Sequence, residues 1–558
     1  MELTHFSLYW LAYGITIILM ALAAITFTFT YQSNHDRSAL VSVITIISLT
    51  SLLATLLLLP VDVALISSTN SSRLGIKEKW ATPEKIQDIV IGLKTLYIIL
   101  YSFNAFVFLL IVPFTYFFYE EYDDNAAEEG YQTPGQRILG ALKYTFMLSI
   151  LILIFFFAGF LIPIVRDPKG YQFDLNFFKR LILEDHGEYA ITFSLGLLIS
   201  IGTILYIFFT AAGMAILPLS LIKSQPSIDA SSLHADSASF LRENRQRQRQ
   251  LQNLSNRTSY ITDESERERL VNEERTLIRR INLASRLQAR ENRTIFKFLK
   301  NLRASLKPLR LIGGILLLCL SILIWISILV TGVDKVKNSL CKQECGYILN
   351  TINIYQPLNY ILVKFSRIYP LDNVFMVILT LFFLSSSVAG IIRLGIRFFW
   401  IKLLEIRKGQ TLPQAMLIVN VMLALMILAL NYSVVMMVAP HYATFGTQTF
   451  CDAPSEKFPD GQPDCSMHLD LVKPCSELSP EYGYRNICTP SVISSVLGQV
   501  IVNFKSYGVF LFWAQFVFLI VFLLVFLIHL FRGPKFNLKK IDELAEIEEE
   551  ESLLANQH

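Results

Sequence analysis

Residues 506–531 read SYGVFLFWAQFVFLIVFLLVFLIHLF, a run with no Asp, Glu, Lys or Arg. As an α-helix, 26 such residues reach about 39 Å at 1.5 Å per residue. That exceeds the ~30 Å hydrocarbon core of a bilayer. Working back along the chain, similar runs occupy approximately 8–30, 40–59, 89–118, 138–162, 189–222, 309–331, 371–400 and 413–438. In lipid every backbone amide must be satisfied within the segment, so these runs predict helices. They lack the apolar–polar alternation of an outer-membrane barrel. The fold class that follows is all-α: a polytopic integral membrane protein with about nine transmembrane helices. Composition agrees. Of 558 residues 53% are apolar and 17% are charged, where a soluble domain carries about 25% charge. The formal net charge of +4 argues for no nucleic-acid partner; the expected partner of most of the surface is the lipid bilayer.

Lysine and arginine set the expected orientation. The connection 223–308 holds 18 Lys/Arg against 10 Asp/Glu, Lys402, Arg407 and Lys408 follow span seven, and Arg532, Lys535, Lys539 and Lys540 follow span nine. Placing these regions in the cytoplasm gives a lumenal N-terminus and a cytoplasmic C-terminus. The organisation read from this is an N-terminal membrane region, 1–222, with spans one to five, and a charged, partly helical cytoplasmic insertion, 223–308. A C-terminal membrane region, 309–531, holds spans six to nine and a lumenal loop 439–505. An acidic cytoplasmic tail, 532–558, closes the chain. Ala21-Leu22-Ala23 resembles a signal-peptidase site, but no basic stretch precedes it, so span one is expected to remain as a helix.

Six of the seven cysteines, Cys341, Cys345, Cys451, Cys465, Cys475 and Cys488, fall in connections that this orientation places outside the cytoplasm. An oxidising compartment would pair them, with about 15 possible connectivities left open. Cys341-x3-Cys345 also admits zinc, although the 451–488 spacings match no zinc ribbon. Cys319, inside span six, reads as a packing residue. Asn70-Ser71-Ser72 is a glycosylation acceptor on the same side, and the acceptor patterns at Asn253, Asn256 and Asn292 are expected to stay bare in the cytoplasm.

Within the insertion, 223–260 reads as a flexible linker, and 264–293 as an amphipathic helix with apolar points at Leu270, Leu277, Ile281 and Leu287. Ile295, Phe298, Leu299, Leu302 and Leu306 share one helical face, with Lys297, Lys300, Arg303 and Lys307 mainly off it, as in a helix lying in the headgroup plane. The tail carries Glu549 four residues before Leu553-Leu554. That pattern resembles an adaptor-binding sorting signal: two leucines for an apolar pocket and a carboxylate for a basic rim. Clathrin-adaptor complexes are therefore an expected partner.

Motifs for catalysis are missing. No Walker A loop, H-E-x-x-H, G-x-G-x-x-G or G-x-S-x-G pattern occurs, so no enzymatic activity and no bound cofactor or protein metal site are expected. His441 and His468 have the chemistry to ligate a cobalt centre but read as exposed loop residues. Lys94, Lys143, Arg310, Arg393, Arg397 and His529 sit toward span ends, and Asp62 is expected just past span two. The central polar groups Asn104, Asn420 and Asn431 read as interhelical hydrogen-bond partners. Pro113 and Pro218 are candidate kinks.

An ordered set of strings across the spans carries a family resemblance. It includes Leu59-Pro60-Val61-Asp62, Tyr116-Phe117-Phe118-Tyr119-Glu120-Glu121, Leu217-Pro218-Leu219-Ser220-Leu221-Ile222-Lys223, Pro370-Leu371-Asp372, Gly395-Ile396-Arg397-Phe398-Phe399-Trp400 and Ala439-Pro440-His441-Tyr442-Ala443. Over nearly the whole chain it resembles the lysosomal cobalamin transporters of the limb-region-like membrane protein family. The resemblance implies a multi-pass protein of the lysosomal (or vacuolar) membrane that is required for export of cobalamin, vitamin B12, to the cytosol. Cobalamin would be the transported ligand, and a lysosomal ABC transporter of subfamily D the working partner. It implies no particular cobalamin-contacting residues. The alternatives are a non-transporting membrane adaptor that stabilises or targets that ABC transporter, and an endocytic ligand receptor.

Overall fold

The computed structural model describes residues 2–33, 37–71, 74–122, 133–166, 186–223, 230–255, 264–291, 307–339, 341–349, 354–368, 370–398, 401–404, 406–452, 465, 468–477, 488–531, 541–542, 545–546 and 549. Among them, nine helices are long and apolar enough to cross a membrane. In chain order the helices are α1 (Glu2–Tyr31), α2 (Ala39–Ser67), α3 (Pro83–Phe106), α4 (Val112–Glu120), α5 (Pro134–Arg166), α6 (His186–Leu205), α7 (Ala211–Ile222), α8 (Ala230–Ser255) and α9 (Glu264–Glu291). There follow α10 (Lys307–Asn338), α11 (Pro357–Phe365), α12 (Leu371–Leu394), α13 (Pro413–Ser433), α14 (Pro440–Phe445), α15 (Val492–Asn503) and α16 (Lys505–Phe531).

Three spans contain a π-helical turn: Val107–Ile111 joins α3 to α4, Tyr206–Thr210 joins α6 to α7, and Val434–Val438 extends α13. A π turn in a helix often marks a functional region. The first sits directly before Pro113, whose missing N–H interrupts the helical ladder at that point.

The chain divides into two units, Met1–Leu217 with Cys319–Leu527, and Pro218–Leu318 with Ile528–His558. In the first, α2 and α13 form the centre: 61% and 67% of their most apolar stretches are buried, against 11% for α1. Leu56, Leu58 and Leu59 of α2 are fully enclosed. Two backbones meet where the span of α6–α7 crosses α12. A methyl group on Gly213 would lie 1.8 Å from the Ser386 carbonyl oxygen, and one on Gly390 would lie 1.9 Å from that of Phe209. Thr210 and Ser387 share a 2.7 Å hydroxyl bond at this crossing. Small residues here allow the close approach that helix pairs in lipid depend on.

Asn104 and Asn420 bond between helices as expected. Asn104 accepts from Ser51 at 2.7 Å and donates to Thr55 at 2.8 Å, while Asn420 donates to Ser48 at 2.8 Å. Asn431, 2% exposed, lies against Tyr101.

Several expectations need correction. Span two does not end at residue 59; α2 runs through Pro60 to Ser67, so Asp62 is inside the helix and fully buried. Span seven stops at Leu394, because Gly395 adopts φ +69°, a left-handed conformation that ends the helix. A hairpin of β3 (Ile396–Phe398) and β4 (Ile401–Leu404) follows. Two other short hairpins pair β1 (Asn70–Ser71) with β2 (Ile76–Lys77), and β5 (Thr449–Cys451) with β6 (Val472–Pro474). Cys319 lies exposed on α10 instead of packing inside.

In the second unit, the stretch read as a flexible linker is mostly the helix α8, which packs along α9. Arg245 Nε donates to Glu274 at 2.8 Å and Gln248 to the same carboxylate at 2.9 Å. These polar contacts join the two helices alongside the buried Leu270 and Leu277 of α9. The amphipathic stretch at 295–306 lies outside the described residues.

Replacing Gly213 or Gly390 with Ala should push α7 and α12 apart at a backbone contact. The expected cost is at least about 1–3 kcal/mol, read as a lowered unfolding temperature of the detergent-solubilised protein, with Gly498→Ala, where a methyl meets open space, as the matched control.

Candidate functional site

The ends of α2, α10 and α13 and the start of α12 converge on a buried polar layer in the first unit. It begins with a turn in the chain: after the π turn Val434–Val438, Ala439 leaves helical geometry and Pro440 opens the short helix α14. Ser327 and Thr331 of α10 hold the π turn, donating to the carbonyls of Val438 and Met437 at 2.7 Å each. Gln356 donates to Thr331 at 2.7 Å, Asn359 donates to Gln356, and the Tyr442 backbone N–H donates to Asn359 at 3.2 Å. The Tyr442 hydroxyl then donates to Asp372 at 2.8 Å. Burial, with the Asp372 carboxylate behind it, pushes the Tyr442 phenol far above its ordinary range. The hydrogen-bonded chain thus joins α10, α11, α12 and α14.

Asp62 anchors the other side. Its carboxylate accepts the N–H of Val492 at 3.3 Å and of Ile493 at 3.1 Å. These are amides of the first turn of α15, which have no partner within their own helix and where the helix dipole favours a negative charge. Ser491 caps the same helix and also donates to the Ala443 carbonyl at 2.8 Å. Asp62, α14 and α15 are therefore locked together.

Among the ionisable groups, Asp62, Asp334, Lys335 and Asp372 are all buried within or at the ends of predicted spans. Asp62 was expected outside its helix, and the other three were not singled out as buried groups. Asp372 and Tyr442 do stand in strings that carry the family resemblance, which was the available signal.

His441, expected to be exposed, instead has a buried Nδ1 that accepts no hydrogen bond among the described residues. Burial lowers its pKa to about 4. His468 is exposed. No group of three or more His, Cys, Asp or Glu among the described residues is arranged to hold a metal ion.

The six extramembrane cysteines pair as Cys341–Cys345, Cys451–Cys465 and Cys475–Cys488, with Cα separations of 5.5, 5.8 and 5.9 Å. Cys475 and Cys488 pack on Phe450, and Cys451 and Cys465 on Leu471 and Val472. Fully buried Gln448 ties this region to the bundle, exchanging bonds with the Thr489 backbone at 2.7 and 3.0 Å. Lys77 donates to Thr489 at 3.0 Å, and burial lowers its ammonium to about 8. Asn70 lies in β1 and is 7% exposed, so a glycan on its Nδ2 would require this hairpin to open from the packing seen here. Glu549 forms an ion pair with Arg279; Leu553 and Leu554 lie outside the described residues.

A separate apolar groove of about 240 Å³ lies between α4, α5 and α13, lined by Val112, Pro113, Tyr116, Phe117, Leu148, Leu417, Ile418 and Val421. It is smaller than the roughly 300–1,000 Å³ of ordinary small-molecule pockets.

Residues 10–307 match the LMBR1-like membrane protein family. The chain belongs to that family. It is 54% identical, over its whole length and 93% of the relative's, to a protein of Sclerotinia sclerotiorum named "Probable lysosomal cobalamin transporter". Proteins of the same name from Podospora anserina (50% identity, 99% of this chain and 93% of the relative) and Coccidioides immitis (48%, 100% and 95%) are similar over the same extent. No solved structure matches the chain.

Replacing Asp62 with Ala should leave two buried amides without an acceptor, at about 1–3 kcal/mol each, and should loosen α15. Faster amide exchange at Val492 and Ile493 is the readout. For His441, the unfolded chain takes up a proton near pH 6.5 that the folded one refuses until about 4. Its contribution to stability is therefore full above 6.5 and is lost as pH falls through that window. His441→Phe should flatten the fall in unfolding temperature between pH 7 and 4 relative to the native chain.

Proposed function

We propose that this protein is a multi-pass lysosomal or vacuolar membrane protein that exports cobalamin from the lumen to the cytosol. The observation that carries the reading is full-length similarity at 45–54% identity to relatives named probable lysosomal cobalamin transporters. The matches cover 99–100% of this chain, so the similarity takes in the whole bundle. Cobalamin is then cargo, and the reading is non-enzymatic.

In this reading the N-terminus is lumenal and the C-terminus cytoplasmic. Support comes from parity: with nine spans, the connections after spans six and eight share one side, and all three disulfides lie in them. The two membrane regions, 1–222 and 309–531, form the conduit, 223–308 is the cytoplasmic insertion, and 532–558 is the sorting tail with Glu549, Leu553 and Leu554 as its signal. Asn70 is the glycan acceptor.

A second reading, a non-transporting adaptor for a subfamily D ABC transporter, is favoured by one feature. Two buried carboxylates are already engaged, Asp62 by two amides and Asp372 by Tyr442. These two are structural groups as they stand and offer no free base for proton coupling, while buried Asp334 accepts from Asn338 through one oxygen only.

Purified protein in liposomes, assayed for labelled-cobalamin uptake against empty liposomes, decides between the two. Uptake well above the empty control is expected for a conduit. No uptake by correctly inserted, folded protein would favour the adaptor.

A further inference from the structure

The C-terminal tail does not stand free of the cytoplasmic insertion. Within the second unit, Ile541 and Ala545 are 2% and 3% exposed and pack with Leu233 of α8 and with Leu283 and Ala284 of α9, with Leu287 alongside. Beside this apolar seam runs a row of charge pairs. Nε and Nη2, on one edge of the Arg280 guanidinium, both donate to the Asp542 carboxylate, Nη2 to Oδ2 at 2.8 Å. Arg279 donates to Glu546 at 2.8 Å and its Nε meets Glu549. Residues 542, 546 and 549 are spaced four and three apart, the repeat that brings helical side chains onto one face. Two consecutive arginines of α9 thus read three acids of the tail.

Each surface pair alone contributes little. Here a fork-shaped bidentate pair, an arginine shared by two carboxylates and an enclosed apolar seam act together. The Arg280 side chain is only 17% exposed, and the Asp542 carboxylate raises its pKa.

Glu549 is also the acid of the Glu549-x3-Leu553-Leu554 signal. One carboxylate cannot fill the Arg279 site and the basic rim of an adaptor at the same time. We propose that α9 is an intramolecular receptor for the acidic tail, and that docking there withholds the sorting signal from clathrin adaptors until the tail is released. This rests on the reading of Glu549, Leu553 and Leu554 as a sorting signal. If the tail is undocked a tenth of the time, apparent adaptor affinity falls about tenfold below that of the free tail.

The test measures binding of a recombinant clathrin-adaptor core to three forms of the full-length protein in nanodiscs and to a synthetic peptide of residues 541–558. The forms are the native chain, the double variant Arg279→Glu/Arg280→Glu, and Ile541→Asn. The last breaks the seam from the tail side and leaves α8 and α9 untouched. The peptide should bind about tenfold or more tightly than the native chain, and both variants should approach the peptide. A fourth form that adds Asp542→Arg and Glu546→Arg to the double variant re-forms two of the three pairs with reversed sign, leaves Glu549 unpaired, and should weaken binding part of the way back toward the native level. Native protein binding as tightly as the peptide, or variants binding as weakly as the native chain, would overturn the receptor role alone. A peptide that does not bind overturns the sorting reading and, with it, the masking.

Discussion

Inside hydrocarbon, a backbone amide or carbonyl that loses its helical partner has no water to replace it. Two irregularities in this bundle are answered from another region of the chain. The π turn at Val434–Val438 is bonded by Ser327 and Thr331 of α10. The amides that open α15 are taken by Asp62 of α2. At the crossing of α7 and α12 the backbones approach until only glycine fits. Burial of leucines cannot choose between one arrangement and another here, because lipid is as apolar as leucine. Polar bonds and small residues supply the choice.

The same constraint explains what could be read in advance. Nine uniformly apolar runs left no alternative to nine helices, and Asn104 and Asn420 had no role open to them in lipid except bonds between helices. Two misplacements, those of Asp62 and His441, share one cause: each was decided by a distant partner. Pro60 and Asp62 look like the end of a span until Val492 and Ile493, some 430 residues away, make a carboxylate in that helix tolerable. His441 looks like a loop residue because nothing local shows α14 being drawn under Asn359 and Asp372. Span seven is the exception. Its end at Gly395 is local, but the apolar run continuing to Trp400 obscured it, since a hairpin of Ile, Phe and Leu has the same composition as a helix.

The second unit follows another rule. Its helices α8 and α9 are rich in charged residues and poor in apolar ones. Poor hydropathy made α8 look like linker, yet Arg245, Gln248 and Glu274 give it a partner. A polar helix is legible only as half of a pair.

The disulfides connect these observations to compartment. Among the described residues, Cys451–Cys465 and Cys475–Cys488 pack with a small apolar set, Phe445, Phe450, Leu471 and Val472. Small apolar clusters of this kind depend on cross-links, which add about 2–4 kcal/mol apiece and persist only in an oxidising space. Gln448 and Lys77 then fasten the cross-linked region to the bundle beside Asp62 and α15. The polar layer therefore lies between a covalently braced cap and the helices whose π turns interrupt their regular ladder. Spans three, five and eight have those interruptions, while α2 at the centre has none beyond Pro60.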